Sequence, residues 1–172
     1  MSLSVLLLRG INVGGANKLR ITDLRTAIEV AGGKEPQTYI QSGNAIFDGE
    51  VSRDRLTDAI EVRAGIRPDL LTMPAKTFLS ILAANPFPTD DHKALHFFFL
   101  PHASSANPAD LEAARGREER FLLTDQALFL YTPNYLSGSR LAPALDRLLG
   151  VRATGRNWRT CRALRDMIKR RS

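Results

Sequence analysis

Apolar runs and helical periodicity alternate along the first 74 residues. Residues 3–8 form an apolar run that predicts a strand buried on both faces. Thr22 and Ser52 are each followed by apolar residues at helical spacing, so each is predicted to cap a helix. Three shorter stretches favour strands, at residues 37–40, 45–47 and 70–73. The resulting order, β-α-β-β-α-β, is that of a ferredoxin-like fold.

The second half of the chain repeats most of this order. An apolar strand at residues 95–100 is followed by a helix start at Asn107, because Asn favours the N-cap and the proline after it favours the first helical position. A predicted hairpin, residues 121–123 and 128–131, comes next. Ser139 then opens another predicted helix, and no last strand is evident.

A helix predicted over residues 75–84 ends at the proline-rich residues 85–88, which are the best candidate linker. A last helix begins at Asn157. The sequence therefore predicts an α+β fold of two similar ferredoxin-like α/β halves, a structural duplication, with a C-terminal helix. The predicted halves are residues 1–84 and 85–172, the second carrying the basic C-terminal helix, and together they are expected to form one compact unit.

The positive charge of the chain is unevenly distributed. The net charge is +6, yet residues 140–172 hold ten Lys or Arg and two Asp, while the rest of the chain holds 14 bases and 16 acids. This C-terminal excess favours an anionic partner, either nucleic acid or a phosphorylated small molecule. A solvated helix face with a basic tail explains the same charge. An exposed basic strip is predicted on the last helix, formed by Arg159, Arg162, Lys169 and Arg170.

Composition also bears on the cellular compartment. No apolar stretch approaches the ~20 residues that a membrane span requires, and the N-terminus lacks the basic segment of a signal peptide. The single cysteine, Cys161, favours a reducing compartment. These features predict a cytoplasmic protein without a membrane partner, and a monomer is the favoured oligomeric state.

The connection after the first strand is the richest in candidate binding residues. Its glycines let the backbone approach a ligand, Arg9 and Lys18 supply positive charge, and Asn12 and Asn17 supply hydrogen bonds. It contains neither a Gly-Lys-Ser/Thr phosphate loop nor a Gly-x-Gly-x-x-Gly dinucleotide motif. A glycine-dependent turn with both cations solvated is the alternative interpretation.

A second polar stretch, Gln41-Ser42-Gly43-Asn44, offers donors and acceptors to a polar ligand. Its residue types favour the alternative, which is a hairpin connection or β-bulge with Gly43 at positive φ.

The third polar stretch, residues 154–160, lies at the start of the last helix. Asn157 is the predicted N-cap, and Arg156 and Arg159 would favour an anion at the helix start. Trp158, the single tryptophan, is expected to pack in the core, with base stacking as the alternative.

The evidence for catalysis is weak. His92, His96 and His102 lie too close to one strand to form a persuasive metal set. Cys161 falls on the apolar stripe of its helix, which favours an inert buried thiol. The catalytic residues are therefore unknown, and the sequence predicts neither a metal nor a cofactor.

Three motifs together resemble a bacterial family, the domain of unknown function 1697 (DUF1697). They are residues 7–18, residues 38–44 and residues 154–160. The resemblance spans essentially the whole chain and implies an α+β fold of two similar halves, but no particular reaction. Two residues depart from the family pattern. Gly155 stands where the family usually has Thr, and Cys161 stands where it usually has a small aliphatic residue or Thr. The second departure weakens a catalytic role for Cys161.

Three functional hypotheses follow from these motifs. The first is a binding protein for an anionic ligand, the second an enzyme that uses the same pocket, and the third an interaction module in which the polar motifs brace the two halves. The loop from Arg9 to Lys18 and the helix start at Asn157 are predicted to meet in one cleft. The candidate ligand-binding residues are Arg9, Asn12, Asn17, Lys18, Gln41, Ser42, Asn44, Arg156, Asn157 and Arg159.

Overall fold

A computed structural model describes residues 2–172 of the chain. Its strands are β1 (Leu3–Arg9), β2 (Lys34–Tyr39), β3 (Asn44–Asp48), β4 (Asp69–Pro74), β5 (Leu95–Phe99), β6 (Arg120–Leu123), β7 (Ala127–Tyr131) and β8 (Thr154–Asn157). Its α-helices are α1 (Ile21–Val30), α2 (Arg53–Ala64), α3 (Ala75–Ala83), α4 (Pro108–Ala114), α5 (Leu145–Leu149) and α6 (Trp158–Arg171). Within residues 2–172, none of the helices combines the length and the apolar character that crossing a membrane would require.

The strands form two four-stranded antiparallel sheets with the same internal order. The first sheet is ordered β2-β3-β1-β4 and the second β6-β7-β5-β8. In each sheet the first strand in sequence occupies a central position and pairs with the third and the fourth. The predicted fold class, two similar ferredoxin-like halves with a C-terminal helix, is confirmed.

The last strand of the second sheet corrects the sequence analysis. The sequence indicated no strand to complete the second half, yet β8 pairs antiparallel with β5, from Phe99 opposite Thr154 to His96 opposite Asn157. This strand is short, lies at the sheet edge and contains a glycine, so its residues carry little β-propensity. Pairing with a buried central strand determines its conformation.

The chain divides into two compact units, each with its own core. The first unit runs to Ser80 and includes Ala163–Ser172, and the second is Ile81–Arg162. The core of the first contains the apolar face of α1 and α2 packed on β1 and β3, including Leu6, Ile28 and Phe47. The core of the second includes Leu128, Leu141 and Leu149.

Several helix ends follow the predicted capping chemistry. The Ser52 side chain accepts a hydrogen bond from the Arg55 backbone N–H, and the Asn107 side chain accepts one from Ala109 at 3.0 Å. Each satisfies a backbone donor that the helix itself leaves unpaired.

Two predicted helix starts differ from the structure. Helix α1 begins at Ile21 rather than at Thr22, and the residue at its N-cap, Arg20, makes no side-chain capping bond. Ser139 precedes a 3₁₀ turn, Ala142–Ala144, instead of an α-helix, and its hydroxyl accepts the Ala142 N–H at 2.9 Å. A proline within that turn lacks an N–H donor, which explains why regular α-helix starts only at Leu145.

Within the first unit, Arg171 holds the end of α6 to the sheet. Its guanidinium donates to the Asp48 carboxylate at 2.9 Å and to the backbone oxygen of Glu35 at 2.5 Å. The side chain is only 12% exposed, so this ion pair is shielded from solvent more than a typical surface pair.

A buried carboxylate organises the second unit. Glu119 is 4% exposed and accepts hydrogen bonds from the Ser139 hydroxyl and from the backbone N–H groups of Gly116, Arg140 and Leu141. Burial opposes ionisation of this side chain, but the four hydrogen bonds outweigh it and hold the pKa of the carboxyl below its ordinary value. Glu119 therefore joins two segments about twenty residues apart as a charged brace.

Replacement of Glu119 by Gln is expected to lower the free energy of unfolding by ~1–3 kcal/mol at pH 7, because an amide presents an N–H to backbone donors. Since the folded-state pKa of Glu119 is lowered, its stabilisation is present above the ordinary value of 4.5 and is lost as pH falls through the folded value. Urea unfolding at pH 7 and pH 3 measures this, and the difference between the two proteins should shrink at pH 3. Glu118→Gln, at the exposed neighbour, is the control; an equal loss in both variants contradicts the role of Glu119.

Candidate functional site

The loop between β1 and α1 forms a small finger. Val13 and Ala16 form an isolated antiparallel bridge, and the Ala16 N–H donates to the Val13 oxygen at 2.9 Å. Gly14 and Gly15 lie between them at φ values of 56° and 78°. Two successive positive φ angles are the requirement of a type I′ turn, which explains the glycine pair.

Asn12 closes the base of this finger. Its side-chain NH2 donates to the backbone oxygen of Leu19 at 3.0 Å and to that of Gln41 at 2.5 Å, while its side-chain oxygen accepts the Leu19 N–H at 2.9 Å. Its φ of 52° is a left-handed conformation that Asn tolerates better than most residues. Both side-chain donors are engaged, so Asn12 ties the finger to the β2–β3 turn.

Asn17 makes a second, smaller brace across the finger. Its side-chain NH2 donates to the Gly10 oxygen at 3.0 Å, and its backbone oxygen accepts the Asn12 N–H at 3.0 Å. Its φ of 51° matches that of Asn12. The two asparagines thus fix the finger from opposite sides.

The stretch from Gln41 to Asn44 is the connection between β2 and β3. The buried Asn44 side chain donates to the Tyr39 oxygen at 3.0 Å and to the Ser42 hydroxyl at 2.9 Å. A Cβ atom on Gly43 would lie 2.6 Å from the Leu8 Cβ, and the φ of Gly43 is 83°. The predicted hairpin with Gly43 at positive φ is therefore present, with Ser42 and Asn44 inside it.

A cleft of about 500 Å³ lies beside the finger in the first unit. It brings together the two polar loops and the first turn of α1. Its lining residues are Asn12, Gly15, Lys18, Leu19, Arg20, Ile21, Thr22 and Gln41. Three of the candidate ligand-binding residues, Asn12, Lys18 and Gln41, are among them.

Two exposed cations stand at this cleft. Lys18 was predicted as a ligand-binding residue, whereas Arg20 was not. The Arg20 guanidinium donates to the Asp23 carboxylate at 2.9 Å, and this hydrogen bond raises its pKa. Because Arg20 sits at the N-cap without a side-chain cap, the positive end of the α1 dipole adds to the charge of the two cations.

Arg9 lies at the end of β1 and outside the set of residues that line the cleft. It is half-buried and stands directly opposite Asp69 in the β1–β4 ladder. Opposite charges at such a cross-strand position stabilise a sheet. Arg9 therefore occupies a position that serves the sheet as well as the neighbouring loop.

The third polar motif belongs to the second unit. Asn157 caps α6 as predicted, because its side-chain oxygen accepts the Thr160 N–H at 2.9 Å. Arg156 donates to the Gly155 oxygen at 2.8 Å, and burial lowers the pKa of its guanidinium to about 10. Arg159 is exposed. The predicted convergence of this motif with the finger stays a prediction.

The aromatic and nucleophilic residues of the second unit serve the core. Trp158 stacks on Phe97 with ring centroids 5.5 Å apart, which agrees with the predicted packing role. Cys161 is fully buried, and burial raises the pKa of its thiol far above the ordinary value. Burial also lowers the pKa of His96 to about 4, so its ring is neutral at physiological pH. These groups add neither a nucleophile nor positive potential.

Fold and site together define an α+β protein of two ferredoxin-like units, the first of which carries a cation-rimmed cleft. The chain belongs to the family described as protein of unknown function (DUF1697), whose model matches residues 1–129. This match confirms the family and covers every residue of the cleft, and it ends before the third motif at residues 154–160.

One solved structure is similar to almost the whole chain. It is the conserved bacterial protein SP0830 from Streptococcus pneumoniae, with a TM-score of 0.72 and 23% identity over 96% of this chain and 98% of that chain. At this identity the likeness shows the fold alone. No curated protein matches the sequence.

The bracing role of Asn12 is testable by comparison with Asn17. Asn12→Gly keeps the left-handed backbone accessible but removes three hydrogen bonds, whereas Asn17→Gly removes one. We expect Asn12→Gly to lower the free energy of unfolding by ~1–3 kcal/mol and Asn17→Gly by less than half as much. Thermal and urea unfolding measure both, and equal losses would contradict the role of Asn12 as the main brace.

Proposed function

We propose that this chain binds a phosphorylated small molecule in the cleft at the start of α1. The observation that carries the proposal is that Lys18 and Arg20 flank a concave site to which both polar loops contribute. A phosphate group would accept hydrogen bonds from the two cations and from the first backbone N–H groups of α1. Gln41 and Thr22, which also line the cleft, supply further polar contacts.

The size of the cleft favours a small molecule over a polymer. At about 500 Å³ it falls in the range of roughly 300–1,000 Å³ that is usual for small-molecule sites. Its walls come from one finger, one turn and one helix end, so a ligand would contact all three. The braces made by Asn12 and Asn17 hold those walls in place without a ligand.

Binding is a better proposal for this cleft than acid–base catalysis. A general acid or base titrates near the working pH, and His is the side chain most often used. Among the eight lining residues the titratable side chains are those of Lys18 and Arg20. An enzyme at this site would have to work by positioning its substrate and by electrostatics.

Loss of the Lys18 charge is expected to weaken phosphate binding. Lys18→Ala should reduce the affinity for inorganic pyrophosphate about fivefold, because an exposed charge pair contributes ~1 kcal/mol. Titration followed by ¹H–¹⁵N NMR measures this, and the amides of Gly15 and Thr22 should shift first.

Lys34→Ala is the matched control, since Lys34 is exposed at the opposite end of β2 in the same unit. It should leave the affinity unchanged. Pyrophosphate shifts confined to other residues, or equal weakening by both substitutions, would overturn the proposed site.

Nucleic acid is the second candidate ligand. The observation in its favour is the exposure of the predicted basic residues of α6, which are Arg159, Arg162, Lys169 and Arg170. Phosphate contacts by such residues bind nucleic acid without sequence preference. Phe97 and Phe99, which could otherwise stack on the bases of a single strand, are fully buried, so the residues of α6 support only phosphate contacts and nucleic acid is the weaker proposal.

Charge reversal at the end of α6 tests the nucleic-acid candidate. The double substitution Lys169→Glu and Arg170→Glu should abolish binding of a short duplex DNA if these residues contact phosphates. In fluorescence anisotropy, binding by the unmodified protein should weaken with salt at a slope of about −0.9 per phosphate contact. Absence of binding at low salt would leave these residues as a solvated helix face.

A further inference from the structure

Two aliphatic side chains that neighbour cleft-lining residues in sequence are unusually exposed. Val13 is 65% exposed at the finger, and Ile40 is 50% exposed at the β2–β3 turn. Each adjoins a residue that lines the cleft, Asn12 and Gln41 respectively. The hydrogen bond from the Asn12 side chain to the Gln41 oxygen at 2.5 Å holds the two loops together. Val13 and Ile40 thus adjoin, in sequence, the two residues that tie the finger to the turn, although neither is itself a lining residue of the cleft.

The backbone at Ile40 is also unfavourable. Its φ of 47° lies in the left-handed region, which a β-branched side chain rarely occupies. Gly or Asn would meet the same backbone requirement with less strain. An isoleucine that is both strained and half-exposed gives no local stability in return, which indicates a use for its side chain at the surface.

The cleft itself has apolar lining residues. Leu19 lies between the cations Lys18 and Arg20 in sequence and Ile21 follows them, and both apolar residues line the cleft. Leu19 is almost fully buried, so it forms part of the floor of the cleft. Charged and apolar residues thus line the same cleft. An inorganic phosphate ion would interact with the charged residues alone.

We propose that the ligand of this cleft is a phosphate ester with an apolar body, and this inference rests on the proposed function. The phosphate faces Lys18 and Arg20, and the apolar body covers Ile21 and reaches the exposed side chains of Val13 and Ile40. Covering exposed apolar surface adds affinity that inorganic phosphates lack. The body is either a planar nucleoside or an aliphatic chain, since both present apolar surface to aliphatic side chains.

Three probes that share a diphosphate group separate the contribution of the phosphate to affinity from that of the apolar body. Inorganic pyrophosphate carries no body, ADP carries a planar one, and geranyl diphosphate carries an aliphatic one. At least one of the two organic probes should bind roughly tenfold more tightly than pyrophosphate, since tenfold corresponds to about one partly covered aliphatic side chain. The tighter of the two identifies the kind of body.

Substitutions of Val13 and Ile40 test where the apolar body of the ligand lies. Val13→Ser should weaken the tighter organic probe several-fold and leave the affinity for pyrophosphate unchanged. Val62→Ser is the matched control, because Val62 is 83% exposed on α2 and, unlike Val13, has no cleft-lining residue beside it in sequence. Ile40→Gly should also weaken the organic probe while raising the melting temperature, because it relieves the backbone strain. All proteins are measured as the full chain by calorimetry and NMR titration.

The outcomes distinguish this inference from the function on which it rests. Equal affinities for the three probes, with weakening by Lys18→Ala, would overturn the apolar body but retain the anion site. Tighter organic binding that Val13→Ser and Ile40→Gly leave unaltered would likewise overturn it. Absence of binding by all three probes would overturn the proposed function and this inference together.

Discussion

The cleft depends on the side-chain amide of Asn12. This one group supplies two donors and one acceptor that join the finger, the segment that leads into α1 at Leu19 and the β2–β3 turn. Its partners are backbone groups, so the bonds are independent of the side chains at Leu19 and Gln41. Without them the finger would be a glycine-containing loop with many accessible conformations. The finger would then be held less firmly against α1 and against the β2–β3 turn, and the position of Lys18 at the cleft would be less well defined.

The sheet beneath the finger imposes a second constraint on the same region. Gly43 approaches β1 so closely that its backbone oxygen accepts the Leu8 N–H at 2.8 Å. A side chain on Gly43 would collide with Leu8 and Ile11, so the β2–β3 turn can lie against β1 only with glycine there. Turn and finger are therefore fixed to the same strand. This explains why two polar motifs separated in sequence contribute to one cleft.

The fold was largely predictable because its signals are local. Apolar periodicity and N-caps such as Ser52 and Asn107 depend on residues within one helical turn, and they indicated the right elements in the right order. Strand β8 was missed because its conformation comes from pairing with β5 rather than from its own residues. The start of α1 was misplaced because Thr22 has the better capping propensity, whereas the chain path out of the finger puts Arg20 at the N-cap.

The sequence also indicated which loops are polar. It carried no signal that the Asn12 side chain would donate to backbone oxygens seven and 29 residues away.

This distinction changes the meaning of the polar motifs. Ligand binding and bracing of the two halves were alternative hypotheses for the polar motifs, but within the first unit the amides brace the loops of that unit. The amides of Asn12, Asn17 and Asn44 are engaged in holding loops, whereas Lys18 and Arg20 extend into solvent at the cleft. Neutral amides suit the bracing of loops because backbone groups can satisfy their hydrogen bonds. Cations suit an exposed position at the cleft because burying a charge without a partner costs far more free energy than leaving it exposed. A braced loop loses little conformational entropy when a ligand binds, so the bracing residues would raise affinity without touching the ligand. In the proposed site, the asparagines would therefore act through the position that they give to the cations.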